Sequence, residues 1–434
     1  MSAADIVGSL ALERRMGRGW AIAFAVAVAL TVLLGVGIIV LLDRGVGIWG
    51  IDVPVAWAFA IADYVWWIAM GMAGTFISAA LYLTRQGWRT ALNRYAEAMT
   101  VFAVSVSGLF PILHLGRPWF FYWLAPYPNR MALWPQWRSS LLWDFFAISA
   151  YLLVSILYFY LGLLPDLAAL RDRATTRGTQ LFYGLLALGW RAEARQWDRF
   201  QTLSAMLAGL AVPLVFSVHS MVALDFSEGL LPGWHSTIFP PFFVAGALFS
   251  GFAMALVLAI ALRSYFGLGS VITGRHLDNL AKVLLATGLF VAYSYVCEVF
   301  FAFYSSDQHE IRLTLNRFQG SYAWTYWVTA FCNVGSIQLL WFPRMRANVV
   351  VLLTVSILVV FGMWMERFML IVTSLYRDFL PSSWGMFYPT RWDFVFLFGS
   401  IGLFFALFLL FLRYLPMVSM FELRKSSHSE HRRP

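Results

Sequence analysis

The sequence predicts an all-α integral membrane protein with ten transmembrane helices. Of its 434 residues, 61% are hydrophobic and only 12% are charged. Soluble proteins carry about 25% charged and about 45–50% apolar residues. This composition therefore excludes a soluble enzyme, a secreted disulfide-rich module and a disordered protein. Ten apolar stretches are long enough to cross roughly 30 Å of hydrocarbon, and only helices satisfy the backbone of such stretches in lipid.

The ten predicted spans follow one another along the chain with short polar or basic connections. The first is predicted to be a retained span, because its apolar run is over 20 residues long and no small-residue cleavage pattern follows it. The spans are Trp20–Leu42, Trp57–Leu83, Arg94–Leu115, Ser139–Leu164, Gln201–Leu224, Thr237–Arg263, Leu280–Tyr304, Tyr322–Phe342, Ala347–Tyr376 and Trp392–Leu415.

Basic residues predict the orientation. Most of the 31 Lys and Arg residues lie in the terminal segments and in the loops after even-numbered spans. By the positive-inside rule both termini are predicted to be cytoplasmic. The net charge of +9 then reflects topology at a lipid bilayer, and no nucleic-acid partner is expected.

This topology divides the chain into five parts. They are a cytoplasmic segment 1–19, spans one to four in 20–164, a cytoplasmic loop 165–200, spans five to ten in 201–415 and a cytoplasmic tail 416–434. Within the loop, the apolar segment Leu181–Trp190 is too short to cross the membrane and predicts an interfacial helix.

Nine ionisable residues inside or at the ends of the spans stand out as candidates. Such residues are costly in lipid, so each is a candidate for function. Under the predicted topology all nine lie in the membrane half that faces away from the cytoplasm, and the cytoplasmic half is nearly free of carboxylates. They are Asp63, His114, Asp144, His219, Asp225, Glu298, Glu366, Arg367 and Asp393.

A pocket built from these groups suits a neutral, lipid-soluble molecule that releases two protons. A quinol fits, because its hydroxyls need acceptors and its ring and tail need aromatic and aliphatic walls. The buried Arg367 needs a carboxylate, and Asp144 and Asp225 are the candidate partners at similar depth. We therefore expect acid, imidazole and guanidinium groups to meet in a single cavity.

The sequence offers few ligands for a redox centre. The two cysteines, Cys297 and Cys332, lie in apolar runs, which excludes a disulfide framework and an iron–sulfur cluster held by this chain alone. His114 and His219 lie at the same predicted face and could together hold at most one b-type haem. Electrons taken from a quinol would then leave on the face of the site, toward a partner protein. A b-haem subunit with these two axial ligands is one alternative.

A secondary transporter is another alternative. Ten spans with buried Asp and Arg residues suit such a protein. Transporters usually contain inverted repeats, however, and no repeat is visible between the halves of this chain.

Three short runs resemble the NrfD/polysulfide reductase membrane-subunit family. They are Leu113-His114-Leu115-Gly116-Arg117-Pro118-Trp119, Trp143-Asp144 and Trp364-Met365-Glu366-Arg367-Phe368. The resemblance covers nearly the whole chain. Within the family, the ten-span layout most resembles the quinol-binding subunit of alternative complex III, called ActC.

The resemblance implies a fold and a site. The fold would be two four-helix bundles with two extra helices, with a quinol site near the periplasmic face. His114, Asp144, Asp225 and Arg367 would contact menaquinol or ubiquinol, and the first three would accept protons. Supporting candidates are Asp63, Arg117, Glu366, Glu298 and His219. No metal site is expected, and neither a haem nor an iron–sulfur cluster would be held by this chain.

The resemblance also implies partners. They are a periplasmic iron–sulfur/molybdopterin-like subunit, a second NrfD-like membrane subunit and cytochrome c subunits in the bacterial inner membrane, with proton translocation as a further role. The alternative within the same family is a quinone-interacting anchor of a molybdopterin oxidoreductase of the polysulfide or sulfite type.

Overall fold

The computed structural model describes residues 17–125 and 136–423, and all regular secondary structure in these ranges is helical. The predicted segment 1–19 and tail 416–434 lie mostly outside the described residues. We number the helices α1 Arg18–Arg44, α2 Phe59–Leu83, α3 Asn93–His114, α4 Ser140–Arg173, α5 Arg177–Leu186, α6 Ala194–Ser227, α7 Phe239–Tyr265, α8 Gly274–Tyr304, α9 Gln308–Gln319, α10 Ala323–Ala330, α11 Pro343–Ala347, α12 Val349–Leu375 and α13 Arg391–Tyr414.

Within the described residues, nine helices are long and apolar enough to cross a membrane: α1–α4, α6–α8, α12 and α13. They coincide with nine of the predicted spans, which confirms an integral, multi-pass membrane protein. The eighth predicted span, Tyr322–Phe342, is helical in three pieces. These are α10, a π-helical turn Phe331–Gly335 and a 3₁₀ segment Ser336–Trp341. The total of ten spans and the side of the termini stay predictions.

Two four-helix bundles form the body of the protein, as the family resemblance implied. In the first bundle α2, α3, α4 and α6 pack in a ring. In the second bundle α7 and α12 pack against each other, α8 packs against α7, and α10 with its continuation packs against α8 and α12. Contacts of α2 with α7 and α12 join the bundles. Helices α1 and α13 pack mainly on each other and reach the first bundle through α13.

Small residues let the central helices approach closely, which is how membrane helices gain packing energy. A Cβ atom at Gly74 of α2 would collide with the backbone carbonyl of Ala96 on α3. A Cβ atom at Gly251 of α7 would lie 2.9 Å from the Met70 carbonyl oxygen of α2. These glycines let α2 pack closely on α3 and on α7, so the first bundle lies directly against the second bundle.

The two ends of the helix bundle differ in character. We call the end at which α3 ends and α4 begins the site end. We call the opposite end the basic end, since it carries Arg89, Arg171, Arg263, Arg346 and Arg413. The predicted topology places the basic end in the cytoplasm, which stays a prediction.

The basic end also contains buried carboxylates, contrary to the expectation from the sequence. Arg94 of α3 lies 3.2 Å from Glu97 and 3.3 Å from Asp166 of α4, and all three side chains are buried. The predicted fourth span ends at Leu164, before Pro165. In the structure α4 continues through Pro165 to Arg173, which brings Asp166 into the bundle.

The short helix α5 follows at the basic end. It occupies Arg177–Leu186, so it begins and ends four residues before the predicted interfacial segment Leu181–Trp190. Leu181, Phe182 and Leu185 are exposed on its surface, whereas Tyr183 is buried against the bundle. An apolar exposed face of this kind suits the predicted position at the membrane surface.

Candidate functional site

A cavity of about 620 Å³ lies in the first bundle at the site end. Its walls are mostly apolar, and a few polar side chains converge on it, which is the usual composition of a small-molecule site. The polar lining residues are Tyr64, Ser105, His114, Asp144, Ser149 and Asp225, and the walls include Trp57, Ile61, Leu109, Ile112, Phe121, Leu141, Phe145, Ile148, Leu152 and Phe226.

Two carboxylates interact across this cavity. Asp144 lies in the second turn of α4 and is 5% exposed, and Asp225 lies near the end of α6. Their side chains are close enough to interact directly. One oxygen of each carboxylate, Oδ1, is buried and has no hydrogen-bond partner. Two acidic groups in contact cannot both carry a charge without strong repulsion, so the pair is suited to accept a proton.

Tyr64 of α2 completes this arrangement, and sequence reasoning missed it. Its hydroxyl donates a hydrogen bond to Oδ2 of Asp144. Its backbone carbonyl accepts a hydrogen bond of 3.0 Å from the Ser107 hydroxyl of α3. Tyr64 directly follows Asp63, and a search for charged residues selects only that neighbour. The available signal was a phenol in a helix whose residues are all buried from Phe59 to Thr75.

His114 closes α3 at the rim of the cavity. Its Nε2 lies 3.2 Å from the Ala56 carbonyl oxygen, and its ring stacks on Trp49 with 5.7 Å between the ring centres. Gly116, with a φ of +73°, follows the helix end, and Pro118 opens a 3₁₀ segment, Pro118–Leu124. This is the helix end that the His-Leu-Gly-Arg-Pro run predicted.

Arg117 and Asp63 are not among the residues that line the cavity. Arg117 is exposed beside the rim. Asp63 is fully buried between α2 and α12, where it accepts a hydrogen bond of 2.7 Å from Nε1 of Trp364. Asp393 lies near it at the start of α13, in a capping box with Thr390. Asp63 therefore joins α2 to α12, and Asp393 caps the start of α13, both outside the cavity lining.

Arg367 lies in the second bundle rather than at the cavity. Its Nη1 is 3.0 Å from Oε1 of Glu366, the preceding residue on α12. Its guanidinium lies over the Phe243 ring at 4.0 Å. The expectation that Arg367 pairs with Asp144 or Asp225 in a single cavity does not match this arrangement. Residues at similar membrane depth are separated here because they belong to different bundles.

Glu366 and Arg367 belong to a second polar group. The Tyr295 hydroxyl of α8 donates a hydrogen bond to Glu366 and accepts one of 2.9 Å from Nδ2 of Asn333. We call Tyr295, Asn333, Glu366 and Arg367 the Glu366 cluster. Asn333 lies in the π-helical turn of the broken eighth span, and a polar amide in an otherwise apolar run was the signal for it in the sequence.

The remaining candidates lie near the Glu366 cluster. Glu298 lines a cavity of about 250 Å³ at the site end of the second bundle, together with Tyr295, Glu310 and Arg317. His219 of α6 is fully buried, and neither ring nitrogen has a hydrogen-bond partner. Arg367 acts electrostatically on it. Helix α6, which carries His219, also packs on α7 of the second bundle.

The positions of the two histidines and the lining of the first-bundle cavity indicate which ligand this cavity suits. His114 lines the cavity, and His219 is not among its lining residues. Within the described residues, no group of three or more His, Cys, Asp or Glu side chains is placed to hold a metal ion. The apolar walls and the two unpartnered carboxylate oxygens fit a quinol, whose hydroxyls are donors and whose ring is apolar.

Comparisons with known proteins identify the family of this chain. The family described as Polysulphide reductase, NrfD matches residues 50–377. A protein of Halobacterium salinarum, named as a putative membrane subunit of dimethyl sulfoxide reductase, is 25% identical over 93% of this chain and 92% of its own length. A selenate reductase subunit of Mesobacillus selenatarsenatis is 24% identical over 87% of this chain and 89% of its own. The motifs around His114, Asp144 and Arg367 predicted this family, and the chain belongs to the NrfD (polysulphide reductase) family.

Proposed function

We propose that this chain is the quinone-interacting membrane subunit of a molybdopterin-type oxidoreductase and that quinol is oxidised in the first-bundle cavity. The observation that carries the proposal is the pair Asp144 and Asp225, each with an unpartnered oxygen, in an apolar cavity of about 620 Å³. The names of the two relatives, subunits of a dimethyl sulfoxide reductase and a selenate reductase, support this class of complex.

Proton transfer follows from the positions of the acceptors. Oxidation of a quinol to a quinone releases two protons and two electrons. Asp144 or His114 accepts the first proton, and Asp225 accepts or passes on the second. Tyr64 holds the Asp144 carboxylate at the cavity wall through its hydrogen bond. His114 lies at the rim, so protons leave the site over a short distance toward the site end.

The electrons pass to a partner subunit with iron–sulfur centres at the site end. Exposed aromatic residues support this docking position, because aromatic side chains are enriched in protein interfaces. Trp119, Phe120 and Trp123 of the 3₁₀ segment are exposed beside the cavity, as is Trp143 at the start of α4. In the predicted topology this is the periplasmic face of a bacterial inner membrane.

The test uses the complex as purified with its partners. Menadiol is mixed with the oxidised complex without oxygen, and reduction of the partner's iron–sulfur centres is followed by absorbance. We expect Asp144→Asn and Asp225→Asn to slow this reduction at least about 100-fold, the scale of losing a positioned proton acceptor. Asp172→Asn, on the exposed basic end of the same helix α4, is the matched control. Reduction at the wild-type rate in both site variants would refute the assignment.

A second candidate is the quinol-oxidising subunit of an alternative complex III. The observation that favours it is the pair of extra helices α1 and α13 beside the two bundles. The same cavity serves both candidates, and the partners separate them. Co-purification with cytochrome c subunits and a second NrfD-like subunit supports the second candidate, whereas co-purification with a molybdopterin subunit alone supports the first. Family membership disfavours the secondary transporter.

A role in proton translocation is supported by hydroxyl groups along the first bundle. Thr100 donates a hydrogen bond of 2.6 Å to the Gly71 carbonyl, and the Tyr151 and Thr75 hydroxyls lie 2.6 Å apart. Farther toward the basic end, Tyr158 donates to the Ser78 carbonyl at 3.3 Å, and Glu97 lies beyond it. These groups lie between Asp144 and the buried Glu97.

The translocation proposal is tested in proteoliposomes that contain the complete complex. We expect Glu97→Gln to lower the number of protons moved per electron while quinol oxidation continues. An unchanged proton-to-electron ratio in a folded Glu97→Gln complex would remove this role and leave the quinol assignment intact.

A further inference from the structure

A third cavity, of about 210 Å³, lies at the basic end between α1, α7 and α13. Its lining is aliphatic and aromatic, with Trp20 and Ala23 from α1, Leu258 and Ala261 from α7, and Leu412 from α13 among its residues. We call it the α1 groove. It is separate from both cavities at the site end and from the Glu366 cluster.

Trp20 forms a rigid end wall of the α1 groove. Its backbone N–H donates a hydrogen bond of 3.1 Å to the Tyr265 hydroxyl, and its Nε1 donates one of 3.2 Å to the Leu409 carbonyl. Trp20 is therefore tied to α7 through its backbone and to α13 through its ring, beside the open groove. A fixed wall with an apolar slot beside it suits a hydrocarbon chain.

Unpaired positive charge lies at this end of the groove. The Arg413 guanidinium lies over the Trp20 ring at 4.8 Å, and its buried Nε has no hydrogen-bond partner. Arg18 and Arg263 are the sequence neighbours of lining residues Gly19 and Leu262 at this end of the groove. None of the three has a carboxylate within ion-pair distance in the described part of the chain.

Three other arginines at the basic end differ in this respect. They are paired within the protein: Arg89 lies 2.6 Å from Glu422, Arg171 lies 2.7 Å from Asp172, and Arg346 lies 2.7 Å from Asp278. Unlike these three, the arginines at the groove are free to bind an anion from outside the chain, and they are the ones that lie beside an apolar slot.

We propose that the α1 groove binds an anionic phospholipid, with one acyl chain in the groove and the phosphate at Arg413, flanked by Arg18 and Arg263. The site requires both an acyl chain and a negatively charged headgroup. The apolar lining offers nothing to a free phosphate, and a zwitterionic lipid would leave the three arginines without net compensation. Arginines at the ends of membrane helices bind lipid phosphates through charge-assisted hydrogen bonds.

The first experiment measures bound lipid on the complete protein. It is purified in mild detergent, and its phospholipids are extracted and quantified by mass spectrometry. We expect anionic phospholipid to remain bound to the wild type and to fall at least fivefold in the Arg413→Gln/Arg263→Gln variant. Arg344→Gln, an exposed arginine at the same end away from the groove, is the matched control and keeps the wild-type amount.

A second variant tests the groove independently of charge. Ala261 is an exposed residue of α7 that lines the groove. In the Ala261→Phe variant the added ring fills the groove and all three arginines stay in place, so this variant should also lose the lipid. If a folded Ala261→Phe protein and the double arginine variant both keep the wild-type amount of anionic phospholipid, the proposal is wrong. A wild type that carries no anionic phospholipid above the amount in bulk detergent also overturns it.

Cross-linking identifies the occupant in the assembled complex. A photoreactive benzophenone residue in place of Phe405, a lining residue that is already aromatic, should form an adduct with an anionic phospholipid. An adduct with a zwitterionic lipid, with a quinone or with a helix of another subunit would each contradict the proposal. The readout does not depend on quinol oxidation, so it is separate from the test of the first-bundle cavity.

Discussion

The Tyr64 hydroxyl donates a hydrogen bond to the Asp144 carboxylate across the interface of α2 and α4. This contact joins a residue of the most buried part of α2 to the acid at the opening of α4. It leaves Oδ1 of Asp144 unpartnered, next to the cavity. Tyr64 therefore determines which Asp144 oxygen is free to meet a ligand.

Removal of the Tyr64 hydroxyl should slow quinol oxidation without unfolding the protein. A hydrogen bond to a charged group contributes about 1.5–3 kcal/mol, so Tyr64→Phe should lower kcat/KM by roughly 10- to 100-fold. Steady-state oxidation of menadiol by the complex measures this. Tyr160→Phe removes a comparable hydroxyl, one that donates to the Leu186 carbonyl at 2.6 Å near the basic end, and should leave kcat/KM unchanged. Equal effects of both variants would contradict a role at the site.

Asp144 and Asp225 should behave as one unit in a double-mutant cycle. Groups that act together are strongly non-additive, because either loss disables the shared step. The Asp144→Asn/Asp225→Asn double variant should therefore be only about as slow as the slower single variant. Rates of the two single variants and the double variant give the coupling. Fully additive losses would show that the two carboxylates act independently.

A bulky side chain in the cavity should block the substrate. Ile148 of α4 lines the cavity, and Ile148→Trp places a large ring in the space for the quinol. We expect KM for menadiol to rise at least about tenfold, equivalent to about 1.4 kcal/mol of lost binding. Ile156→Trp on the same helix is the control, since Ile156 is 42% exposed on the outside of the bundle. An unchanged KM in Ile148→Trp would place the quinol elsewhere.

The Arg367–Glu366 pair should matter for stability more than for substrate binding. Both side chains are buried, and removal of one partner of a buried ion pair costs about 3–5 kcal/mol. Arg367→Leu should therefore lower the Tm markedly, and the Glu366→Gln/Arg367→Leu double variant should recover part of the loss. KM for menadiol should stay near the wild-type value in any folded variant. A tenfold change in KM at unchanged Tm would instead indicate that Arg367 contacts the quinol.

Close packing of α2 on α3 should make Gly74 intolerant of a methyl group. Its Cβ would collide with the Ala96 carbonyl and the Thr100 hydroxyl, so Gly74→Ala should destabilise the protein by about 1–3 kcal/mol through overpacking. Gly35→Ala in α1 is the matched control, because nothing lies within 4 Å of the added Cβ there. The Tm of both variants in the same detergent decides the point. A Gly74→Ala protein as stable as Gly35→Ala would contradict the packing described for α2 and α3.

The amino-acid sequence alone was sufficient to predict the membrane fold, most of the span positions and the family. Hydropathy along the chain depends on local composition, and so does the cost of an ionisable residue in a span. For this reason hydropathy and charge were enough to select His114, Asp144 and Asp225 as candidates, and the structure places all three at the first-bundle cavity.

Only the tertiary structure decided how the buried charged residues are divided between the two helix bundles. Depth in the membrane can be read from position within a span, but the bundle that a side chain faces depends on how the helices pack. Arg367 has a similar predicted depth to Asp144, yet it pairs with Glu366 in the second bundle. Tyr64 acquires its role solely from a partner 80 residues away on α4. Packing is a long-range property, and a linear scan of hydropathy and charge contains no information about it.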